Sequence, residues 1–258
     1  MSAAQPLAGR TIVVTRPAEQ AQHMADLIRA QGGKPLLFPV LEIVDINDLK
    51  PLNDIIDRLE QFDWAIFISP NAVRKAINLI RARRTLPDTL RLAAIGRGST
   101  RELRDLGITD VTAPTTRFDS ENLLALPEFA DIQGKKIVIF RGDGGREFLG
   151  DTLTERGAQI EYAECYRRAR PDASSAVLLR HWARNELSAI TVTSVEGLHN
   201  LYDMVGKLAR QWLMTTPLFV PHERIAEAAR SMGLESVHVT PQGDEGMVDA
   251  MSQWFATT

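Results

Sequence analysis

Six loops of this chain carry small, polar or Gly/Pro-rich residues directly after short apolar runs. The runs, such as TIVVT from Thr11 to Thr15, are typical of buried parallel strands, and a segment with helical spacing follows each loop. Loops of this kind can expose backbone N–H groups at the start of a helix, where the helix dipole favours anions. The sequence therefore predicts an anion-binding face made of strand exits. The loops read TRPAEQ, ISPNAV, IGRGST, FRGDGGRE, VTSVEG and VPHERI.

Four arginines in these loops are candidate side chains for binding an anion. They are Arg16, Arg97, Arg141 and Arg146, and Arg224 follows in the last loop. A charge-assisted hydrogen bond to a carboxylate contributes about 1.5–3 kcal/mol, although exposed pairs contribute much less. We expect the four arginines to recruit carboxylates together. The alternative is that each loop only caps a helix on a solvated surface.

Two helix starts carry residues that can cap a helix and present backbone donors. Ser69, Pro70 and Asn71 begin one predicted helix, and Ser194 begins a matching helix in the second half of the chain. Ser and Asn are good N-cap residues, and the N–H groups behind them can also bind a carboxylate. In another loop, His222 could donate a hydrogen bond to the same ligand or remain solvated. These five residues complete the predicted binding set.

The chain contains an internal repeat of α/β segments. GRTIVVTRP from Gly9 resembles GKKIVIFRG from Gly134, which sets Arg16 opposite Arg141. WAIFISPNAV resembles SAITVTSVEG, and LAAIGRGSTRELRDLG resembles LFVPHERIAEAARSMG, in the same order. Strands followed by helices, over and over, indicate an α/β fold with parallel sheets. Three matched blocks predict a duplicated half.

Composition excludes several classes of protein. The chain has 258 residues and 28.7 kDa, which is roughly two domains at ~150 residues each. Hydrophobic residues make up 44% and charged residues 24%, an ordinary globular composition. The formal charge of -3 and the pI near 6.0 argue against a nucleic-acid partner. No apolar run approaches the ~20 residues that span a bilayer, and the first residues do not resemble a secretory signal, so we expect a cytoplasmic protein without a membrane partner.

The usual cofactor and metal motifs are missing from the sequence. The turn GDGGRE has Glu147 where a dinucleotide-binding turn needs its third glycine. The histidines lack metal-ligand spacing, and the single cysteine, Cys165, is interpreted as a small packed side chain. We therefore expect no metal and no cofactor. A catalytic enzyme, a two-domain module that binds anions or solutes without catalysis, and a degenerate nucleotide-binding domain all remain open from the residues alone.

A series of motifs across nearly the whole chain resembles the uroporphyrinogen-III synthase family. The motifs are TIVVTRP, PVLEI, AIFISPNAV, AAIGRGSTRELRDLG, DSENLL, GKKIVIFRGDGGRE, YAECYRR, ITVTSVEGLHNL and GDEGMVDAM, in this order. One departure is PHERIA, from Pro221 to Ala226, where many members carry a glycine–threonine loop. That departure argues against a simple hydroxyl contact there.

The resemblance implies two flavodoxin-like domains with parallel sheets, joined by a two-stranded connector. Residues 1–39 and 168–258 would form the first domain, 44–163 the second, and 40–43 and 164–167 the connector strands. The repeat by itself also accommodates a simpler layout, in which each half of the chain is one domain.

The resemblance also implies the activity. The substrate would be hydroxymethylbilane, a linear tetrapyrrole that carries acetate and propionate groups, bound in a cleft between the domains. The reaction would be a cofactor-independent cyclisation that inverts the last ring through a spiro intermediate. The same likeness implies a monomer that is functionally coupled to hydroxymethylbilane synthase.

The family carries a tyrosine at the position of Tyr166, in YAECYRR. A phenol is protonated at neutral pH, so Tyr166 is the candidate catalytic acid that assists departure of the hydroxyl group. Tyr162, four residues earlier, is expected on the same face of an extended strand and is the rival donor. The alternative for both tyrosines is simple packing.

Overall fold

The computed structural model describes residues 5–144 and 147–257. The chain divides into two compact units, which we call unit 1 (Met1–Glu42 with Ala169–Thr258) and unit 2 (Ile43–Arg168). The chain therefore enters unit 2 after Glu42 and returns to unit 1 after Arg168. Across the described residues, no helix is long and apolar enough to cross a bilayer.

Strands and helices alternate along the described chain. The strands are β1 (Thr11–Val14), β2 (Lys34–Leu37), β3 (Glu42–Val44), β4 (Trp64–Phe67), β5 (Arg91–Ala94), β6 (Lys136–Gly142), β7 (Gln159–Ala169), β8 (Leu187–Thr191), β9 (Leu218–Val220) and β10 (Val237–Val239). The helices are α1 (Ala18–Ala30), α2 (Lys50–Ile56), α3 (Pro70–Arg83), α4 (Arg97–Asp105), α5 (Ser120–Leu124), α6 (Phe148–Glu155), α7 (Ala176–Ala183), α8 (Val195–Thr215), α9 (Glu223–Ser231) and α10 (Asp244–Thr257).

The sheet of unit 1 has five strands in the order β10-β9-β8-β1-β2. Its neighbouring strands pair in parallel throughout. Numbered along the chain within the unit, this order is 2-1-3-4-5. Parallel pairing brings the carboxyl ends of all five strands to one edge, where ligands of open α/β sheets bind.

The sheet of unit 2 has the order β3-β7-β6-β4-β5. The pairs β4–β5, β4–β6 and β6–β7 are parallel. The ladder between β6 and β7 has a bulge, since Arg141 lies opposite Glu164 and Gly142 lies opposite Tyr166. Cys165 is the extra residue on β7, and it shifts the side-chain alternation for the rest of that strand.

Each sheet is covered on both faces, as parallel sheets require. In unit 2, Phe67 packs with Val73 of α3, whereas its neighbour Ile66 packs with Leu149 of α6. In unit 1, β1 alternates in the same way between α8 on one face and α1 with α10 on the other. The prediction of an α/β fold with parallel sheets is confirmed.

Helix α2 ends at Ile56, and a separate 3-10 turn follows at Leu59–Gln61. Leu52, Ile56 and Leu59 are all buried in one core, so the two segments pack together although the helix is not continuous.

Cys165 lies in the core of unit 2 and is 2% exposed. Its thiol donates to the carbonyl oxygen of Arg141 over 3.1 Å. Burial raises the pKa of the Cys165 thiol to about 12, because the thiolate would lose its hydration. The interpretation of this residue as a packed side chain is confirmed.

This raised pKa predicts that Cys165 makes stability fall with rising pH. Above a pKa of about 8.5 the unfolded thiol loses its proton, whereas the folded thiol keeps it up to about 12. The unfolded state then binds fewer protons, so the free energy of unfolding falls by about 1.4 kcal/mol per pH unit. Urea unfolding at about pH 8 and about pH 10 should show a wild-type loss about 2 kcal/mol larger than that of Cys165→Ala. Equal losses in the two proteins would contradict it.

Candidate active site

The carboxyl edge of the unit 2 sheet gathers several of the predicted site residues. Ser69 follows β4, Arg97 follows β5, Arg141 lies near the end of β6, and Tyr166 lies near the end of β7. Each was singled out from a separate sequence motif. Parallel pairing of β4 with β5 and β6, and of β6 with β7, is what brings them to one edge.

Ser69 is the N-cap of α3 and also contacts Tyr166. Its backbone is extended, and its Oγ accepts a hydrogen bond from the N–H of Ala72 over 3.0 Å. The same Oγ lies 3.0 Å from the Tyr166 hydroxyl, at hydrogen-bond distance. Pro70 occupies the first turn of α3, and the side chain of Asn71 behind it is buried. Sequence reasoning found the cap but not the contact with Tyr166.

Tyr166 is 7% exposed and its ring lies directly against Gly142. Burial raises the pKa of the Tyr166 phenol, and the hydrogen bond with Ser69 opposes that shift in part. The phenol therefore keeps its proton at neutral pH. A neutral hydroxyl held by Ser69 at a strand exit is able to donate a proton or a hydrogen bond.

Tyr162 and Tyr166 lie on opposite faces of the unit 2 sheet, so the expectation of a shared face is wrong. Tyr166 packs in the core that includes Ala72 of α3. Tyr162 lies against Gly150 of α6, close enough that a side chain at Gly150 would meet its hydroxyl oxygen. The bulge at Cys165 is the reason, because it adds one residue between the two tyrosines and reverses the alternation.

The side chain of Arg141 is buried in unit 2. It is 5% exposed, and its guanidinium carbon lies 4.6 Å from the centre of the Tyr162 ring. It lines a cavity of about 310 Å³ together with Ile139, Leu149 and Asp119. In residues 5–144 and 147–257, no carboxylate forms an ion pair with Arg141. Glu121 lines the cavity as well, so an anionic group bound by Arg141 would lie near two carboxylates and one cation.

Arg97, the other predicted arginine of unit 2 that the structure describes, differs from Arg141. Arg97 is the first residue of α4, is exposed, and stacks on Phe118 with its guanidinium carbon 4.6 Å from the ring centre. Arg146, the fourth predicted arginine, lies outside the described residues.

The carboxyl edge of unit 1 holds the other predicted residues. A cavity of about 240 Å³ is lined by Arg16, Thr193, His222 and Asp244, among others. Ser194 caps α8 by accepting from the N–H of Gly197 over 2.9 Å. His222 is the N-cap residue of α9, and its exposed side chain makes no cap hydrogen bond. Arg16 and His222, predicted separately, thus line one cavity.

Asp244 is a residue of this edge that sequence reasoning missed. Its Oδ1 lies 2.5 Å from Nη1 of Arg16, and its Oδ2 lies 3.1 Å from Nδ1 of His23. The available signal was the motif GDEGMVDAM, in which a glycine and two acids precede an apolar helical pattern. That pattern predicts a helix start, but it does not show that the aspartate reaches an arginine more than two hundred residues away in sequence.

We predict that Gly142→Ala displaces Tyr166. A Cβ at Gly142 would lie 2.6 Å from Cε2 and Cζ of Tyr166, which is closer than real carbon atoms approach. Overpacking of this kind costs about 1–3 kcal/mol of unfolding free energy, measurable by urea denaturation. In a Tyr166→Ala background the added methyl meets no ring, so the same substitution should cost far less. An equal cost in both backgrounds would contradict the contact.

Sequence comparisons with known proteins match the chain to one family. A family model described as Uroporphyrinogen-III synthase HemD matches residues 22–248. The uroporphyrinogen-III synthases of Salmonella typhimurium and Escherichia coli K12 are 35% and 34% identical to the chain, each over 91% of it and 96% of the relative.

Solved structures share the fold at low identity. A mutant uroporphyrinogen III synthase from the extremely thermophilic bacterium Thermus thermophilus matches with a TM-score of 0.63 and 17% identity, over 96% of this chain and 100% of the other. A uroporphyrinogen-III synthetase from Helicobacter pylori 26695 matches with a TM-score of 0.60 and 16% identity, over 95% and 99%. The family match over most of the chain decides the assignment: the chain belongs to the uroporphyrinogen-III synthase family.

Proposed function

We propose that this chain closes hydroxymethylbilane into uroporphyrinogen III, with substrate carboxylates bound at strand exits. It is a uroporphyrinogen-III synthase, a cofactor-independent cyclising lyase of tetrapyrrole biosynthesis. The observation that carries the activity is 35% identity over 96% of the length of a synthase. The residues that perform the reaction are inferred from the geometry.

The reaction needs a group that helps a hydroxyl leave. Departure of hydroxide from the hydroxymethyl group of the first ring produces an azafulvenium electrophile. The last ring attacks it through its substituted carbon, and the spiro intermediate then fragments and closes in the inverted orientation. Electron-rich pyrroles drive these steps, so the main task of the protein is to hold the two ends in the productive geometry.

Tyr166 is the proposed general acid for loss of the hydroxyl group. Its phenol proton passes to the departing oxygen, which leaves as water, and the proton released when the last ring regains aromaticity restores the phenol. Ser69 supports this role, because its Oγ already accepts from Ala72 and can give its own proton to the Tyr166 oxygen. In that arrangement the Tyr166 proton is directed away from Ser69 and toward the substrate.

The proposed substrate contacts are cations and backbone donors at the strand exits. Acetate and propionate groups suit both, since carboxylates bind to guanidinium groups and to helix N-termini. The side-chain donors are Arg16, Arg97, Arg141 and His222, with Arg146 outside the described residues, and the helix starts are those at Ser69, Pro70, Asn71 and Ser194.

The two units support a layout of two flavodoxin-like domains with a two-stranded connector. The strand order 2-1-3-4-5 of unit 1 is the flavodoxin-like order. In this proposal residues 1–39 and 168–258 form one domain, 44–163 the other, and 40–43 and 164–167 connect them. Both changes of unit along the chain, after Glu42 and after Arg168, fall within or next to the proposed connectors. The cytoplasmic location, the monomeric state and the coupling to hydroxymethylbilane synthase stay predictions.

The isomer pattern of the product tests the proposed reaction. Hydroxymethylbilane is incubated with the protein, the product is oxidised, and the porphyrin isomers are separated by chromatography. The synthase should give the inverted type III isomer faster than the spontaneous reaction gives the type I isomer. Type I alone at the uncatalysed rate would refute the synthase and favour a module that binds anions without catalysis.

A further prediction concerns Tyr166→Phe, which removes the hydroxyl donor but keeps the ring against Gly142. We expect kcat to fall about 10²-fold, the lower end for a general acid, because the pyrrole nitrogen already expels hydroxide readily. KM and the type III product should be unchanged, and the loss of the hydrogen bond with Ser69 should lower the melting temperature only slightly. Tyr162→Phe is the matched control, since that hydroxyl lies on the opposite face of the sheet. A normal kcat in Tyr166→Phe would reduce Tyr166 to a packing residue.

A further inference from the structure

We propose that Asp244 is a positioning residue that holds Arg16 in the orientation needed to bind a substrate carboxylate; this inference rests on the proposed function. Asp244 is absent from the predicted binding set. It begins α10, and its Oδ1 lies 2.5 Å from Nη1 of Arg16 at the exit of β1. Both residues line the same cavity of about 240 Å³.

The Asp244 carboxylate is itself held in place on several sides. Its second oxygen lies 3.1 Å from Nδ1 of His23, a residue of α1. The N-terminal end of α10 provides the positive end of a helix dipole, which stabilises a carboxylate in the first turn. The side chain is only 10% exposed. Asp244 is therefore a fixed anchor that joins the start of α10 to α1 and to the exit of β1.

The contact with Asp244 leaves the Nε and Nη2 donors of Arg16 for a ligand. In the part of the chain that the structure describes, Arg16 makes its side-chain hydrogen bond through Nη1. Its Nε and Nη2 carry three more N–H donors, and this edge of the planar group matches a carboxylate in a two-point contact. The Arg16 side chain is 28% exposed and lines the cavity, so it is within reach of a ligand there.

Asp244 has a second physical effect, which opposes the first. Its negative charge reduces the attraction between Arg16 and a substrate carboxylate, and Glu245 adds another negative charge near His23. If that repulsion dominated, removing the charge would tighten substrate binding. If Asp244 instead acts by positioning, removing its charge weakens substrate binding, because an unrestrained Arg16 must lose side-chain entropy when it binds the substrate. The direction of the change therefore decides between them.

The test is the KM and kcat of Asp244→Asn with hydroxymethylbilane as substrate. We expect KM to rise about 3- to 10-fold, the factor that ordering one long side chain costs, with kcat within about twofold of wild type. Asp244→Glu, which keeps the carboxylate, should recover part of the loss. Asp244→Asn added to Arg16→Ala should change KM no further, because there is no guanidinium left to position.

Glu245→Gln is the matched control. It removes the same charge from the same helix turn, and Glu245 lies 3.4 Å from Nε2 of His23 without contacting Arg16. Its KM should stay near that of wild type. An equal rise in Glu245→Gln would mean that net charge, not positioning, sets the affinity, and would overturn the proposal. A lower KM in Asp244→Asn, or a lower melting temperature with unchanged KM, would overturn it as well.

Two further measurements separate the possible failures. If Asp244→Asn does not fold, Arg16→Lys is the alternative variant. It keeps the positive charge and the partner Asp244 but lacks the guanidinium edge that makes a two-point contact with a carboxylate. A wild-type KM in Arg16→Lys would overturn the proposal. A wild-type protein that forms no type III isomer would refute the proposed function. An active wild type with an unchanged KM in Asp244→Asn would refute only the role of Asp244.

Discussion

Parallel strand pairing is the constraint on which the proposed chemistry depends. The side chains proposed to bind or react lie at the exits of β1, β8 and β9 in unit 1 and of β4 to β7 in unit 2. Strands buried on both faces offer few polar positions in their interior, so polar side chains collect at or near the strand ends. Slippage of one strand by a single residue would move its exit loop and turn its apolar side chains toward the wrong helix layer.

The strands of the internal repeat occupy equivalent positions in the two sheets. β1 lies between β2 and β8, and its repeat partner β6 lies between β7 and β4. β4 and β8, a matched pair, therefore occupy equivalent places, as do β5 and β9. The repeated segments correspond one to one, yet each unit combines pieces of both copies, because the chain leaves unit 1 after Glu42 and returns after Arg168.

Arginines in similar sequence contexts end in different environments. Arg16 and Arg141 are repeat partners, but Arg16 is paired with Asp244 whereas Arg141 is buried against Tyr162. Arg97 is exposed on Phe118. A paired, a buried and an exposed guanidinium have different free energies of desolvation, so equal contributions to substrate binding are not expected from them.

The sequence by itself determined the α/β class, the parallel sheets, the buried Cys165 and the strand-exit positions of Ser69 and Arg16, because apolar spacing and helix capping act over a few residues. Tertiary structure decided what those side chains touch. The hydrogen bond between Ser69 and Tyr166 joins residues that are 97 positions apart, and that between Arg16 and Asp244 joins residues that are 228 positions apart. The separation of Tyr162 from Tyr166 came from one extra residue in a strand ladder. Such features depend on which strands pair and in which register, and no local pattern encodes that choice.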